Sequence, residues 1–258
     1  MNINFRFPLI LGLTLFLGLG SPLLAENEDS IAYQGAKKDL HIYLLIGQSN
    51  MAGRAKVAKG EDAVLQNTFL LNGQDQWEPA KNPLNRYSTI RKGLGMQKLN
   101  PGYSFSKTML KKMKGSSIGL VVNAKGGSNI NDWVPGSKFF QEAIKRTKAA
   151  MKSGSLKGIL WHQGESNAKD EKYLDKLSAL VKNLRRDLGE PSLPFIAGQV
   201  NNVPLVNEQI AKLPSVIQHT SFVKSDGLQA MDRWHFDAKS MKMLGERYAK
   251  EMLRLLKK

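Results

Sequence analysis

The chain has 258 residues, enough for one large domain without demanding two. It contains no cysteine, which excludes disulfides, a thiolate-bound metal and a lipid on an amino-terminal cysteine. Lys and Arg number 38 against 22 Asp and Glu, and a formal charge of +16 attracts polyanions.

Residues 1–25 carry one charge, Arg6, followed by an apolar run and then Ser21-Pro22-Leu23-Leu24-Ala25. A basic start, a short apolar stretch and a small residue at the end read as a secretory signal peptide cleaved after Ala25. That makes the mature protein secreted or periplasmic, with residues 26–258 as a single domain. The rival is an uncleaved membrane anchor, but the run is near the minimum length for a span and is interrupted by glycine and proline. Cleavage removes only Arg6 from the charge, so the mature chain stays strongly basic.

Residues 26–38 are a polar lead-in. Short apolar runs then alternate with longer helical patterns. The expected strands are 40–46, 117–123, 158–162, 194–199 and 221–224; they alternate poorly, as strands buried on both faces do. The expected helices are 103–114, 139–151, 172–188 and 238–256. In the last, Met241, Leu244, Tyr248, Met252 and Leu255 recur at three- and four-residue steps. Strands alternating with helices imply βαβ units and an α/β fold with a mainly parallel sheet. Residues 56–100, rich in Gly, Asn, Pro and Lys, break the rhythm and read as a long excursion over the edge of the sheet that carries the site.

Four segments sit where chemistry is expected. The first strand runs into Gly47-Gln48-Ser49-Asn50-Met51-Ala52-Gly53, a turn that presents Ser49 at the carboxyl edge of the sheet, where ligands bind in such folds. A serine hydroxyl needs a base. Without one, Ser49 reads as a helix cap. Of four histidines, His41 begins a strand, His162 ends one and His219 lies in a connector, whereas His235 follows Asp232 by three residues. On a helical turn that spacing puts a carboxylate beside the imidazole. Asp226 and Asp237 compete for the role of acid, Asp237 fitting better as the cap of the last helix. After the second strand, Gly126-Gly127 lets backbone N–H groups approach a ligand. After the third, Trp161-His162-Gln163-Gly164-Glu165-Ser166-Asn167 crowds polar side chains into a turn. Glu165 reads as a residue that orders neighbouring loops. Trp77, Trp133 and Trp161 are either sugar-stacking or core aromatics, Trp161 fitting the core better.

In this order, Gly47-Gln48-Ser49-Asn50-Met51-Ala52-Gly53, Gly126-Gly127-Ser128, Trp161-His162-Gln163-Gly164-Glu165-Ser166-Asn167 and Asp232-Arg233-Trp234-His235-Phe236 resemble the sialate O-acetylesterase-like carbohydrate esterases (carbohydrate esterase family six) of the SGNH hydrolase superfamily. The resemblance spans residues 40–235. It implies a flavodoxin-like three-layer α/β/α fold, no metal and no cofactor, and hydrolysis of acetyl esters on sugar hydroxyls of a polysaccharide or oligosaccharide. It implies Ser49 as nucleophile, His235 as base and Asp232 as its partner, with Ser49, Gly127 and Gln163 as oxyanion donors. The wider superfamily has an Asn where this chain has Gln163-Gly164-Glu165-Ser166-Asn167, so Gln163, Glu165 and Asn167 all stand as candidates for the side-chain donor. The positive charge suits an anionic glycan; dispersed lysines that keep an exported protein soluble account for it equally. No aromatic-interleaved basic motif points to nucleic acid. The same triad would serve a lipid esterase, a thioesterase or a peptidoglycan O-acetylesterase, although the polar segment 56–100 argues against a long acyl channel. A non-catalytic carbohydrate-binding or envelope protein on the same fold is the remaining alternative.

Overall fold

The computed structural model describes residues 1, 3, 33–91, 93 and 95–257, so the signal-peptide reading lies outside the described residues. Among the described residues no helix is long and apolar enough to cross a membrane. Seven strands make one sheet: β1 (Leu40–Gly47), β2 (Thr68–Leu71), β3 (Trp77–Pro79), β4 (Ser117–Ala124), β5 (Ser155–His162), β6 (Phe195–Gly198) and β7 (Thr220–Val223). Their order across the sheet is β3-β2-β4-β1-β5-β6-β7, with only β3 antiparallel to its neighbour.

The alternation of β1 divides the interior. Ile42, Leu44 and Ile46 face α3 (Lys138–Ala150), α4 (Tyr173–Leu188) and α5 (Pro204–Val216). Tyr43 and Leu45 face α2 (Gly102–Leu110) and α6 (Ala238–Leu255) on the other side. Both faces are covered, giving the three-layer α/β/α arrangement and explaining why the strands read as nearly continuous apolar runs. Asp237 caps α6, its Oδ1 accepting the Ser240 N–H at 2.7 Å, as its position suggested.

Two elements depart from the sequence reading. Segment 56–100 is only partly an excursion: β2 pairs with β4 and β3 folds back on β2, burying Leu70, Leu71 and Trp77. Their strands are too short to show a period among the polar residues of the turns. Helix α5 went unread, although Val206, Ile210 and Leu213 fall at helical spacing behind Pro204, a favourable first-turn residue. The five strands read from the sequence are β1, β4, β5, β6 and β7. Within the sheet they run second-first-third-fourth-fifth, the flavodoxin-like order, and β2 and β3 extend it beyond β4. The order reverses between β1 and β5, and a crevice at the carboxyl ends is expected there.

Candidate active site

Gly47 ends β1 at φ +135°, and a Cβ there would collide with the His162 carbonyl of β5. The close approach lets Gln48 N–H donate to that carbonyl at 2.8 Å. The chain then turns into α1 (Ser49–Ala52), held by the fully buried Met51 and Ala52. Ser49 is thereby fixed at the reversal point of the sheet.

Ser49 Oγ lies 3.0 Å from His235 Nε2, and His235 Nδ1 lies 2.7 Å from Asp232 Oδ2. With the proton on Nδ1, the ring donates to Asp232 and accepts from Ser49. Asp232 and His235 share a side, but not through a helix as the spacing suggested. The segment is a non-helical loop. Asp232 Oδ1 accepts the N–H groups of Trp234 and His235, both at 2.8 Å, folding the chain around its own carboxylate. Burial pushes the Asp232 carboxyl up, but hydrogen bonds from the His235 ring and these two N–H groups outweigh it and hold the pKa below the usual value. The acid is therefore ionised and can stabilise an imidazolium. Asp226 takes no part; its carbonyl accepts from Arg247 at 2.9 Å.

Asn50, to which the sequence reading gives no role, joins the Ser49 turn to the loop of His235. Its Nδ2 donates to the Trp234 carbonyl at 3.0 Å and its Oδ1 accepts the Phe236 N–H at 3.2 Å. One carboxamide beside Ser49 thus grips both peptide groups flanking His235. Asn50 Nδ2 also donates to Glu165 Oε1 at 2.9 Å, so Glu165 is an ordering residue. Asn167 orders too, accepting from Ile130 N and Gln163 Nε2 and donating to Asp170 Oδ2.

The Gly127 N–H takes no acceptor among the described residues, and Gly127 is exposed at φ +73° on the pocket wall. Ser49 N–H, first in its helix, has none within it. Gln163 is a correction. It is fully buried, and its Nε2 donates to Gln48 Oε1, Ser128 O and Asn167 Oδ1 at 3.2, 3.0 and 2.7 Å. Both amide protons are engaged below the floor, and Gln163 does not line the pocket. The side chain that does is Gln48. Its Oε1 accepts from Gln163 Nε2 and from the N–H groups of Gly164 and Ser166. Backbone donors fix which end of the amide is oxygen, leaving Gln48 Nε2 beside Ser49 without an acceptor among the described residues. Nothing in the sequence distinguishes the two glutamines.

The pocket encloses about 380 Å³. Beyond Gln48, Ser49, Gly127 and His235, its walls include Arg54, Met96 and Trp234. Arg54 Nη1 donates to the carbonyls of Gly53 and Met96, while its Nε is buried without a partner and no carboxylate pairs with it among the described residues. Burial, and then Arg91, lower its pKa, yet guanidinium stays charged. Trp77, Trp133 and Trp161 are core aromatics: they are 7%, 0% and 0% exposed. The half-buried Trp234 is the tryptophan at the pocket, with Arg233 stacked on its ring at 4.5 Å.

Burial raises the Glu165 carboxyl to about 7, and its Oε2 is buried without a partner among the described residues. The folded state keeps this proton to about pH 7, whereas the unfolded chain releases it near the ordinary value of 4.5. The folded state binds more protons in that window, so wild-type stability falls as pH rises through it. Glu165→Gln cannot ionise, and its oxygen still accepts from Asn50. Its stability relative to wild type therefore increases between pH 4.5 and 7.5, on the order of 1–3 kcal/mol. Denaturant unfolding at both pH values measures this; parallel curves would show that Glu165 ionises normally.

Comparison with known proteins places the chain in a family. The family model described as carbohydrate esterase, sialic acid-specific acetylesterase, matches residues 39–254. A probable carbohydrate esterase of Arabidopsis thaliana is 34% identical over 194 residues, covering 67% of this chain and 74% of that protein. An Arabidopsis thaliana crystal structure superposes with a TM-score of 0.74 at 31% identity, covering 83% of this chain and 98% of the other. NanS has the same fold, with a TM-score of 0.69 at 15% identity over 86% of this chain and 99% of its own. The chain belongs to the family of carbohydrate esterases described as sialic acid-specific acetylesterases, and it is an ester hydrolase.

Proposed function

We propose that this chain removes acetyl groups from the sugar hydroxyls of a glycan by a Ser-His-Asp acyl-enzyme mechanism. The observation that carries the reading is the alignment of Ser49 Oγ, His235 and Asp232, at 3.0 and 2.7 Å, beside the free N–H of Gly127. Ser49 Oγ attacks the acetyl carbonyl as its proton passes to His235 Nε2. The oxyanion is received by the N–H groups of Ser49 and Gly127, with Gln48 Nε2 as the side-chain donor. His235 then protonates the departing sugar oxygen. Water, deprotonated by the same imidazole, attacks the acetyl-serine ester; as the acyl–Oγ bond breaks, His235 returns that proton to Ser49 Oγ, and acetate leaves.

Acetate release from p-nitrophenyl acetate, acetylated xylan, acetylated chito-oligosaccharides and O-acetylated sialic acid tests this, together with labelling by a fluorophosphonate. The expected result is acetyl-ester hydrolysis and one covalent adduct, on Ser49. No hydrolysis and no adduct would leave a carbohydrate-binding protein on an esterase fold.

The unpaired guanidinium of Arg54 on the pocket wall favours an anionic sugar. A charge-assisted hydrogen bond to a sugar carboxylate contributes about 1.5–3 kcal/mol, or roughly 10–100-fold in affinity. Arg54→Met should lower kcat/KM on O-acetylated sialic acid by that factor relative to an acetylated neutral sugar. An equal fall on both would assign Arg54 to holding the loop at Met96 instead. Export, from the signal at residues 1–25, is tested by the amino-terminal sequence of the mature protein.

A further inference from the structure

The depression around Ser49 does not end at its wall. Glu165 and Ser166 line it and also line a second, more open cleft of about 450 Å³ that continues past Asn129, Asn131, Asn167 and Lys169. Its floor is held by its own amides. Asn129 Nδ2 donates to the Ser166 carbonyl at 3.2 Å, and Asn129 Oδ1 accepts the Asn131 N–H at 3.0 Å and Asn167 Nδ2 at 3.2 Å. Asn167 Oδ1 accepts the Ile130 N–H at 3.0 Å, so the loop after β4 is tied to the loop after β5 at several points. The upper surface is different. The side chains of Asn131, Ser166 and Lys169 are exposed and make no hydrogen bond or ion pair among the described residues.

An amide, a hydroxyl and an ammonium group together offer donors and acceptors in several directions. That set suits a ring bearing several hydroxyls better than it suits an acyl chain or an aromatic ligand. The tied floor means little backbone ordering is needed when such a ring binds. Because the cleft opens at the lip of the catalytic pocket, its occupant is contiguous with whatever carries the acetyl group.

We propose that this cleft is a glycan subsite: it holds a neighbouring sugar of the same chain, so that the enzyme acts on acetylated oligo- or polysaccharides in preference to acetylated monosaccharides. The proposal rests on the esterase reading and adds the length of substrate that the site engages.

The test is hydrolysis of acetylated xylose through xylotetraose, acetylated N-acetylglucosamine through chitotetraose, and O-acetylated sialic acid against its oligomers. p-Nitrophenyl acetate serves as the reference, and wild type is compared with Asn131→Ala, Lys169→Ala and Asn131→Trp. In at least one series kcat/KM should rise about 10-fold or more from one sugar to three, through KM. The ratio of trisaccharide to p-nitrophenyl acetate kcat/KM should fall about 3–10-fold in each alanine variant, the loss of one hydrogen bond. In Asn131→Trp, which fills the cleft, it should drop to the monosaccharide level. Hydrolysis independent of length in every series, or an unchanged ratio in all three variants, overturns the subsite while leaving the esterase standing. Failure of wild type to cleave even p-nitrophenyl acetate overturns the esterase reading itself.

Discussion

Ser49→Ala should lower kcat on p-nitrophenyl acetate by about 10⁴- to 10⁶-fold, since members of a catalytic triad act as a unit and loss of the nucleophile forfeits nearly all of their joint effect. What remains is the contribution of the oxyanion donors and of binding. Fold stability should change little. Ser49 Oγ makes one side-chain hydrogen bond, to His235, and α1 is held by Met51, Ala52 and the clamp of Asn50 rather than by that hydroxyl. Initial rates of acetate release with purified variant and wild type, matched by thermal melting, provide the measurement. A variant that keeps more than about a tenth of wild-type kcat would show that another group attacks, and the acyl-serine mechanism would fail with it.

Asp232→Asn should lower kcat by about 10⁴-fold with KM little changed. The carboxylate does two things that an amide divides. Oδ1 takes two backbone N–H groups and Oδ2 takes the ring proton, so both positions must be acceptors. The backbone pair pins the amide oxygen of the variant at the Oδ1 site, which turns its NH₂ toward Nδ1. The imidazole then presents Nδ1 as acceptor and carries its proton on Nε2, facing Ser49, where a base is needed. Asp232→Ala loses the same orientation and also both loop hydrogen bonds, so its melting temperature should fall where that of Asp232→Asn does not. Parallel loss of kcat and stability in both variants would make Asp232 a loop-forming residue. Retention of activity in the asparagine variant would move the acid to another carboxylate.

Much of this was legible because it is local. The apolar run from Leu40 into Gly47, Gln48 and Ser49 is a strand feeding a tight turn whatever surrounds it. Asp237 before an amphipathic run is a cap. An Asp three residues before a His has few ways to avoid it, and here the contact survived although the segment is a loop and not the helical turn that the spacing suggested. The family motifs, three at strand ends and one just before the last helix, carried the order of the site.

Other features were decided between distant segments. Gln48 and Gln163 carry the same side chain, and which one offers a free N–H depends on competition among Ser128, Asn167, Gly164 and Ser166, from two other loops. Asn50 became the clamp of the histidine loop only because α6 and the sheet deliver Trp234 and Phe236 to it across a separation of more than 180 residues. Trp77 and Trp133 became core because β3 and the loop after β4 fold inward, and a single indole carries no sign of which face will cover it. The sequence by itself determined most of the elements, the turn that carries Ser49 and the Asp232–His235 contact, since backbone propensity and short-range hydrogen bonds decide those. The tertiary structure alone decided which glutamine, which arginine and which tryptophan line the pocket. A polar group's direction is set by all the partners that reach it, and those arrive only when the sheet assembles.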